Sequence, residues 1–279
     1  MKDEVRVALA QIPVDSLDPD RNLTRVLQTM RAAAEQGADL VVFPELVSLG
    51  QVPEPLGEFP ARYVAAAEPI PGPFTREIGV AAAAFGLHVA FGMAERHPDV
   101  PYTVFDSAVL VEPSGAVVGV QRKLHLAGAE RHYFGRGDRV EIFETELGVL
   151  SLQVCYDVYF PEVCRAAALK GAEILLGLFN VTDREDWPDR LAALASVRAY
   201  ENMQHVVLVN RVGENCGRVF GGESVAASPP GQVVGRAPRL DEALLLIRLD
   251  SETLARERAR RPVFADRRPE IYGGPSEGR

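Results

Sequence analysis

The strongest constraint on this chain is a pattern that it states twice. Residues 5–11 form an apolar run, a helical segment follows, and Gly37-Ala38-Asp39 leads into Leu40-Val41-Val42-Phe43. Residues 149–155 form a second such run, again followed by a helical segment, and Gly171-Ala172-Glu173 leads into Ile174-Leu175-Leu176-Gly177. Short apolar runs bounded by turn residues are strands buried on both faces, and such strands alternating with helices indicate an α/β fold. Two copies are too few for a solenoid, so this is a duplicated αβ unit. No linker is long or polar enough to divide the chain, and residues 1–279 are expected to form one domain.

Punctuation residues place the remaining elements. Asp18-Pro19 caps a helix that carries Leu23, Val26, Leu27, Met30 and Ala34 at helical spacing and stops at Gly37. Residues 75–84 read as a helix and 87–93 as a strand, the turn falling at Gly86. Residues 104–111 and 116–120 read as a hairpin around Pro113-Ser114-Gly115. Further strands are expected at 149–154, 174–179, 206–209, 224–227, 233–234 and 244–249, and helices at 162–170, 190–202 and 251–260.

Charge and cysteine usage exclude several function classes. Lys plus Arg minus Asp plus Glu is 30 − 39 = −9, and the densest basic stretch, residues 256–261, is interrupted by Glu257. Phosphate-backbone binding needs concentrated cations, so no nucleic-acid partner is expected. The charged N-terminus lacks the apolar core of a signal peptide, and the charge-free stretch 78–94 falls short of a membrane span. Cys155, Cys164 and Cys216 form an odd set without CxxC spacing, which suits free thiols in the cytoplasm. His88, His97, His125, His132 and His205 show no HxxxH or HExxH spacing, so no metal or other cofactor is expected.

Three strand ends break the apolar pattern. Glu45, in Phe43-Pro44-Glu45, leaves a buried strand, where desolvation would make it a base; the plain alternative is a surface glutamate. Lys123, in Arg122-Lys123-Leu124-His125-Leu126, would be a fixed cation for an oxyanion, or an ordinary solvated lysine. Cys155 ends a strand that runs at once into a helix signal at Phe160-Pro161-Glu162. That is an elbow presenting a thiol beside backbone N–H groups, which would lower its pKa; a buried core cysteine is the alternative, and Cys164 is given that reading.

Taken together, Phe43-Pro44-Glu45, Arg122-Lys123-Leu124-His125-Leu126 and Cys155-Tyr156-Asp157 with Phe160-Pro161-Glu162 resemble the nitrilase superfamily of carbon–nitrogen hydrolases. The resemblance begins at Val7-Ala8-Leu9-Ala10-Gln11 and continues through Gly135-Arg136-Gly137-Asp138, Arg198-Ala199-Tyr200-Glu201-Asn202 and a strand at Val209-Asn210-Arg211-Val212-Gly213. It ends at Asp266-Arg267-Arg268-Pro269-Glu270-Ile271-Tyr272. It implies a four-layer αββα sandwich and a Glu45–Lys123–Cys155 triad, with Glu45 as base, Lys123 as oxyanion stabiliser and Cys155 as nucleophile. Glu130 fits the place of a further glutamate turned to the same pocket.

Relatives that hydrolyse nitriles usually carry Trp-Glu after the cysteine. Tyr156-Asp157 resembles the amidase and carbamoylase branches instead, which implies hydrolysis of a linear, non-peptide amide. Nitrilase and N-carbamoyl hydrolase activities on the same triad are the alternatives within the family. A non-catalytic interaction protein is the alternative outside it, and the presence of all three triad residues argues against that. The substrate-binding candidates are Tyr156, through its backbone N–H, and Asn180. Arg184 is read as a solvated loop arginine, with pairing to a substrate carboxylate as the alternative, Trp187 as pocket wall or helix-packing core, and residues 47–67 as one wall of the entrance. The tail, residues 261–279, is expected to join copies into a homodimer or larger even-numbered assembly through Arg267-Arg268-Pro269-Glu270-Ile271-Tyr272.

Overall fold

In the computed structural model, which describes residues 1–51, 59–187, 189–215 and 217–272, the repeated pattern becomes two sheets. The first unit runs β1 (Glu4–Gln11), α1 (Pro19–Glu35), β2 (Leu40–Val42), α2 (Phe59–Ala66), α3 (Pro73–Phe85), β3 (His88–Arg96), β4 (Val104–Val111) and β5 (Val117–Arg122). A short β6 (Phe134–Gly135) leads to the second: β7 (Phe143–Thr145), β8 (Gly148–Val154), α4 (Pro161–Leu169), β9 (Ile174–Phe179), α5 (Arg190–Asn202) and β10 (His205–Asn210). A ribbon of β11 (Val212–Asn215) and β12 (Arg218–Gly221) follows. Then come β13 (Val225–Ala227), β14 (Val233–Arg236), β15 (Ala243–Asp250) and α6 (Ser251–Arg260).

Local chemistry sets the ends of these elements. The Asp18 carboxylate accepts the Arg21 N–H at the start of α1, Pro19 occupies the first turn, and Gly37 at φ +77° turns the chain toward β2. Val26, Met30 and Ala33 on one face of α1, with Phe74, Ile78 and Ala82 of α3, cover the outer face of the first sheet.

The sheets are copies in topology. Along β15-β1-β2-β3-β4-β5 the successive pairings are antiparallel, parallel, parallel, antiparallel and antiparallel. Along β7-β8-β9-β10-β13-β14 they are the same. Register corrects the correspondence read from sequence by one residue. Val7 lies opposite Leu40 and Leu150 opposite Ile174, so five residues further on Ile12, rather than Gln11, is the counterpart of Cys155.

Between the sheets, Val5, Val7, Leu9, Leu40, Val42 and Leu110 meet Leu150, Leu152, Val154, Leu176 and Leu208 in one core, which extends outward to Leu191, Ala195 and Ala199 of α5. At about 1.5–3 kcal/mol for each large side chain, this core is the main favourable term holding the layers together. The layers are thus helices, sheet, sheet, helices: the four-layer αββα sandwich.

Expected and observed elements agree to within three residues at their ends, and 190–202 and 251–260 agree at both. The short strands β6, β7 and β12 were not expected, and three further features depart from expectation. α2 falls in a Pro- and Gly-rich segment that carried no helix signal. The expected strand 209–213 breaks at Arg211, whose guanidinium lies over the Phe220 ring with its carbon 4.2 Å from the centroid and donates to the Val14 carbonyl. Trp187 is exposed rather than core. Residues 52–58 of the expected entrance wall, residues 273–279 of the tail and Cys216 lie outside the described residues. No helix among the described residues is long and apolar enough to cross a membrane.

Candidate active site

The parallel strands of both sheets end at one side of the molecule, and the residues singled out from sequence leave those ends. β2 stops because Pro44 cannot continue the ladder. Glu45 follows, then Leu46 in the left-handed region at φ +52°. This kink presses against β3 so closely that a Cβ on Gly92 would lie 2.5 Å from the Leu46 nitrogen and 2.6 Å from the Glu45 Cα. Glycine is needed there for space. The Glu45 N–H reaches across to the Phe179 carbonyl of the second sheet at 3.3 Å, tying the acid to both sheets.

Lys123 leaves β5 with its N–H on the Asp106 carbonyl at 2.8 Å and its own carbonyl accepting the Gly137 N–H at 2.8 Å. Its side chain is fully buried. The ammonium donates to Glu45 Oε1, to Glu130 Oε1 at 2.8 Å and to Asp106 Oδ2 at 3.2 Å. Burial works against this charge, but Glu45, Asp106, Cys155 and Glu130 outweigh it and hold the pKa well above the ordinary lysine value. The other Glu130 oxygen accepts the Ala127 N–H at 2.8 Å, and burial raises the Glu130 pKa despite Lys123. Burial likewise drives the Asp106 carboxyl well above its usual range, against the pull of Lys123 and with a push from Glu45. One ammonium does not offset the burial of its carboxylate partners, and Asp106, the more deeply buried, is pushed further toward its neutral form than Glu130.

Asp106 was not singled out from sequence. Its only signal was an acid inside the apolar strand Val104-Phe105-Asp106-Ser107-Ala108-Val109. The oxygens of Glu45, Asp106 and Glu130 lie within 4.8 Å of one another, a spacing that could suit a cation. The Lys123 ammonium, bonded to all three, is that cation.

Cys155 supplies the elbow expected from sequence. It opens a 3-10 turn, Cys155–Tyr159, directly after β8, and its φ of +45° is unusual for a residue with a side chain. The turn is clamped from behind by Arg198 of α5, whose Nε donates to the Val158 carbonyl at 2.8 Å and Nη2 to the Tyr159 carbonyl at 3.0 Å. It is tied to the lysine segment by Asp157. That carboxylate accepts the Leu124 N–H at 3.1 Å, the His125 N–H at 2.8 Å and His125 Nδ1 at 2.9 Å, while the His125 ring stacks on Phe160 at 3.7 Å.

The thiol pKa corrects a sequence expectation. Burial, reinforced by Glu45, raises it well above the ordinary cysteine value. Lys123 and an Asn180 backbone hydrogen bond lower it without prevailing. At rest the thiol keeps its proton, so a base is needed to remove it.

A cavity of about 280 Å³ opens over the site, lined by Cys155, Glu130, Asn180, Leu46, Tyr133 and Phe134 among others. Asn180 is buried, and its Oδ1 makes no hydrogen bond among the described residues. The Tyr156 side chain lies off the cavity, edge-on to Phe160 at 5.0 Å, so of the two expected substrate contacts only Asn180 turns a side chain to it. Cys164 is the inert thiol, 3.1 Å from Gln153 Oε1 and pushed up to about 12 by burial.

An acid, a fixed ammonium and a buried thiol gathered at strand ends are the equipment of a hydrolase that attacks a polarised carbon covalently. Residues 6–259 match the carbon-nitrogen hydrolase family, and the chain belongs to it. It is 34% identical over 272 residues to a nitrilase from Pyrococcus abyssi, covering 96% of this chain and 99% of that one. It is 35% identical over 277 residues to an (R)-stereoselective amidase from Pseudomonas sp, covering 98% and 95%. Among solved structures it resembles an amidase from Nesterenkonia sp. AN1, as a double mutant of a glutamate and a cysteine in complex with acrylamide. There the TM-score is 0.81 and the identity 29%, over 97% of this chain and 96% of that one. Another structure of that amidase carries the acetamide moiety of fluoroacetamide on its active site cysteine, with TM-score 0.81 and 28% identity over 98% and 97%.

Proposed function

We propose that residues 1–279 form a single hydrolase domain that cleaves linear, non-peptide amides through a thioester on Cys155. The observation that carries this reading is that the buried Lys123 ammonium is bonded to Glu45 and to Glu130, and that Glu130 lines the same cavity as the Cys155 thiol. Covalent addition at the active site cysteine of the Nesterenkonia amidase supports the same chemistry.

Glu45 takes the Cys155 proton as sulfur attacks the amide carbon. The C–S bond forms, the carbonyl π electrons move to oxygen, and Lys123 with the Tyr156 N–H receives that oxyanion. Glu45 returns the proton to the departing nitrogen, the C–N bond breaks, and ammonia or an amine leaves. Water, deprotonated by Glu45, then attacks the thioester carbon; the C–S bond breaks, Glu45 returns the proton to the departing sulfur, and the carboxylic acid leaves with the thiol restored. Glu130 orients the Lys123 ammonium. Burial favours the protonated thiol, so the first half of the cycle needs Glu45 to remove that proton, and the second needs it again for water.

Tyr156-Asp157 after the nucleophile favours amides. The relatives include proteins named nitrilase and N-carbamoylputrescine amidase, which keeps nitriles and carbamoyl compounds as the second choice. Ammonia release from primary amides, nitriles and N-carbamoyl compounds, with Cys155→Ala as control, tests the reading. Amide turnover that vanishes in the control is expected; turnover of nitriles alone would overturn the amide assignment.

In the same reading the chain works in the cytoplasm, with Cys155 and Cys164 as free thiols, and as a homodimer or larger even-numbered assembly. Leu169, Val197 and Tyr200 on the outer helices and Ile271 and Tyr272 in the tail are exposed apolar side chains that suit a covered face. Truncation before Arg267 is expected to lower the mass seen by light scattering; an unchanged mass would remove the tail from that contact.

A further inference from the structure

The wall of the cavity over Cys155 is richer in basic than in acidic side chains. Arg184, Arg190 and Arg218 all line it, whereas Glu130 is its one acidic wall residue among those described, and Glu130 is already bonded to Lys123 and the Ala127 N–H. The arginines are not equivalent. Arg184 is exposed and shares its charge with the equally exposed Asp186, at 2.8 Å from Nε. Arg190 is half-buried at the first position of α5. Its Nη2 donates to the Thr182 carbonyl, which fixes the guanidinium without neutralising it, and no carboxylate pairs with it among the described residues. The nearby Asp183 is turned away, onto Arg239 at 2.9 Å.

From this we infer that Arg190 is an anion subsite of the catalytic cavity, and that the preferred amides carry a carboxylate. The inference rests on the amidase reading and deepens it. An Arg guanidinium held by one backbone carbonyl keeps donors in a planar fork that matches a carboxylate. A concave wall concentrates the field of such a cation toward the substrate, with the exposed Arg184 adding to it. A cavity of about 280 Å³ suits a small acid amide rather than a peptide. An amide bearing an amine would meet the same wall as a like charge.

The test compares succinamate, with its carboxylate on the acyl side, N-carbamoylglycine, with its carboxylate on the leaving amine, and uncharged butyramide. Binding to Cys155→Ala protein is read by calorimetry, and ammonia release by the intact enzyme. One of the two anions is expected to exceed butyramide by at least about tenfold in affinity and in kcat/KM, an advantage that shrinks as salt is raised. Which anion wins tells on which side of the scissile bond the carboxylate sits. Arg190→Gln is expected to bring the anion-to-butyramide ratio close to one, mainly through KM, and Arg190→Lys to restore part of it. Arg184→Gln should lower the ratio less. The ratio is internal to each variant, so a folding defect, which depresses all three ligands together, does not imitate the effect. Butyramide binding as well as both anions, or a ratio unmoved by Arg190→Gln, would overturn the inference while leaving amide hydrolysis standing. Absence of ammonia from every amide would instead overturn the amidase reading, and calorimetry would still decide whether the anion subsite exists.

Discussion

At the N-terminal ends of their parallel strands the two sheets are nearly interchangeable. Asp39 accepts the Arg6 N–H at 2.8 Å, and Glu173 accepts the Val149 N–H at 3.0 Å. Their own N–H groups return to the Arg6 and Val149 carbonyls, both at 2.8 Å. Their carbonyls accept the N–H groups of His88 and His205, both at 3.0 Å. Lys2 pairs with one acid and the chain's amino terminus with the other.

At the C-terminal ends the likeness stops. β1 continues into the buried apolar residues Ile12 and Val14, whereas β8 turns abruptly at Cys155. β2 is cut short by Pro44 and delivers Glu45, whereas β9 runs on to Phe179 and delivers Asn180 to the cavity wall. The first sheet supplies the acid and, from β5, the ammonium; the second supplies the thiol. Ends that only close the fold have stayed alike, and ends that open toward substrate have diverged, as expected where ligands bind beyond the carboxyl ends of parallel strands.

The largest expected effect tests that division of labour. Glu45→Gln keeps the shape but removes the base, and is expected to cost at least about 10³-fold in kcat, since both half-reactions use it. Steady-state ammonia release measures it, and a loss below tenfold would move the base elsewhere. Next is the kink that holds Glu45. Gly92→Ala places a methyl group against the Glu45 backbone and should lower kcat by about 10²-fold with a smaller rise in KM. Wild-type kinetics in that variant would show that the kink is not needed.

Asp106→Asn preserves a neutral, hydrogen-bonding side chain at a site where burial already favours the neutral acid. It is expected to lose less than about tenfold, and Asp106→Leu far more, measured as kcat/KM. Equal damage from both would mean that the Asp106 charge is required. At the other ends of the strands, Asp39→Ala and Glu173→Ala should each leave backbone donors unpaired and cost about 1–3 kcal/mol in denaturant unfolding. A large difference between them would break the equivalence of the two units.

The smallest effect concerns pH. Burial lowers the pKa of both His88 and His205 from the ordinary 6.5, so each is favoured neutral in the fold. The stability they contribute is present above that value and is lost as pH falls through their lower folded values. Melting temperature should therefore decline below pH 6.5, and the decline should lessen when either is replaced by Gln. An unchanged acid limb in both variants would assign that decline to carboxylates.

The sequence by itself determined the strand and helix pattern, because apolar period and capping residues are local properties that Asp18, Gly37, Gly86 and Pro161 state openly. It also located Glu45, Lys123 and Cys155, since a polar residue just past an apolar strand is a visible break in pattern, whereas Glu130 came from the family resemblance alone. The tertiary structure decided the rest. The β4–β5 hairpin was legible from its turn, but only its register, which sets Ser107 opposite Arg122, shows that the Asp106 carboxylate meets the Lys123 ammonium. The register that matches Cys155 with Ile12 depends on which residues face each other across strands. The thiol pKa reversed the expectation because a sequence can show that N–H groups are near but not how completely water is excluded. Arg184 read locally as a solvated charge and Arg190 only as a helix start; the packing of α5 and the loop before it brings both to a cavity wall. Burial and field are sums over neighbours distant in the chain, and only the folded arrangement performs that sum.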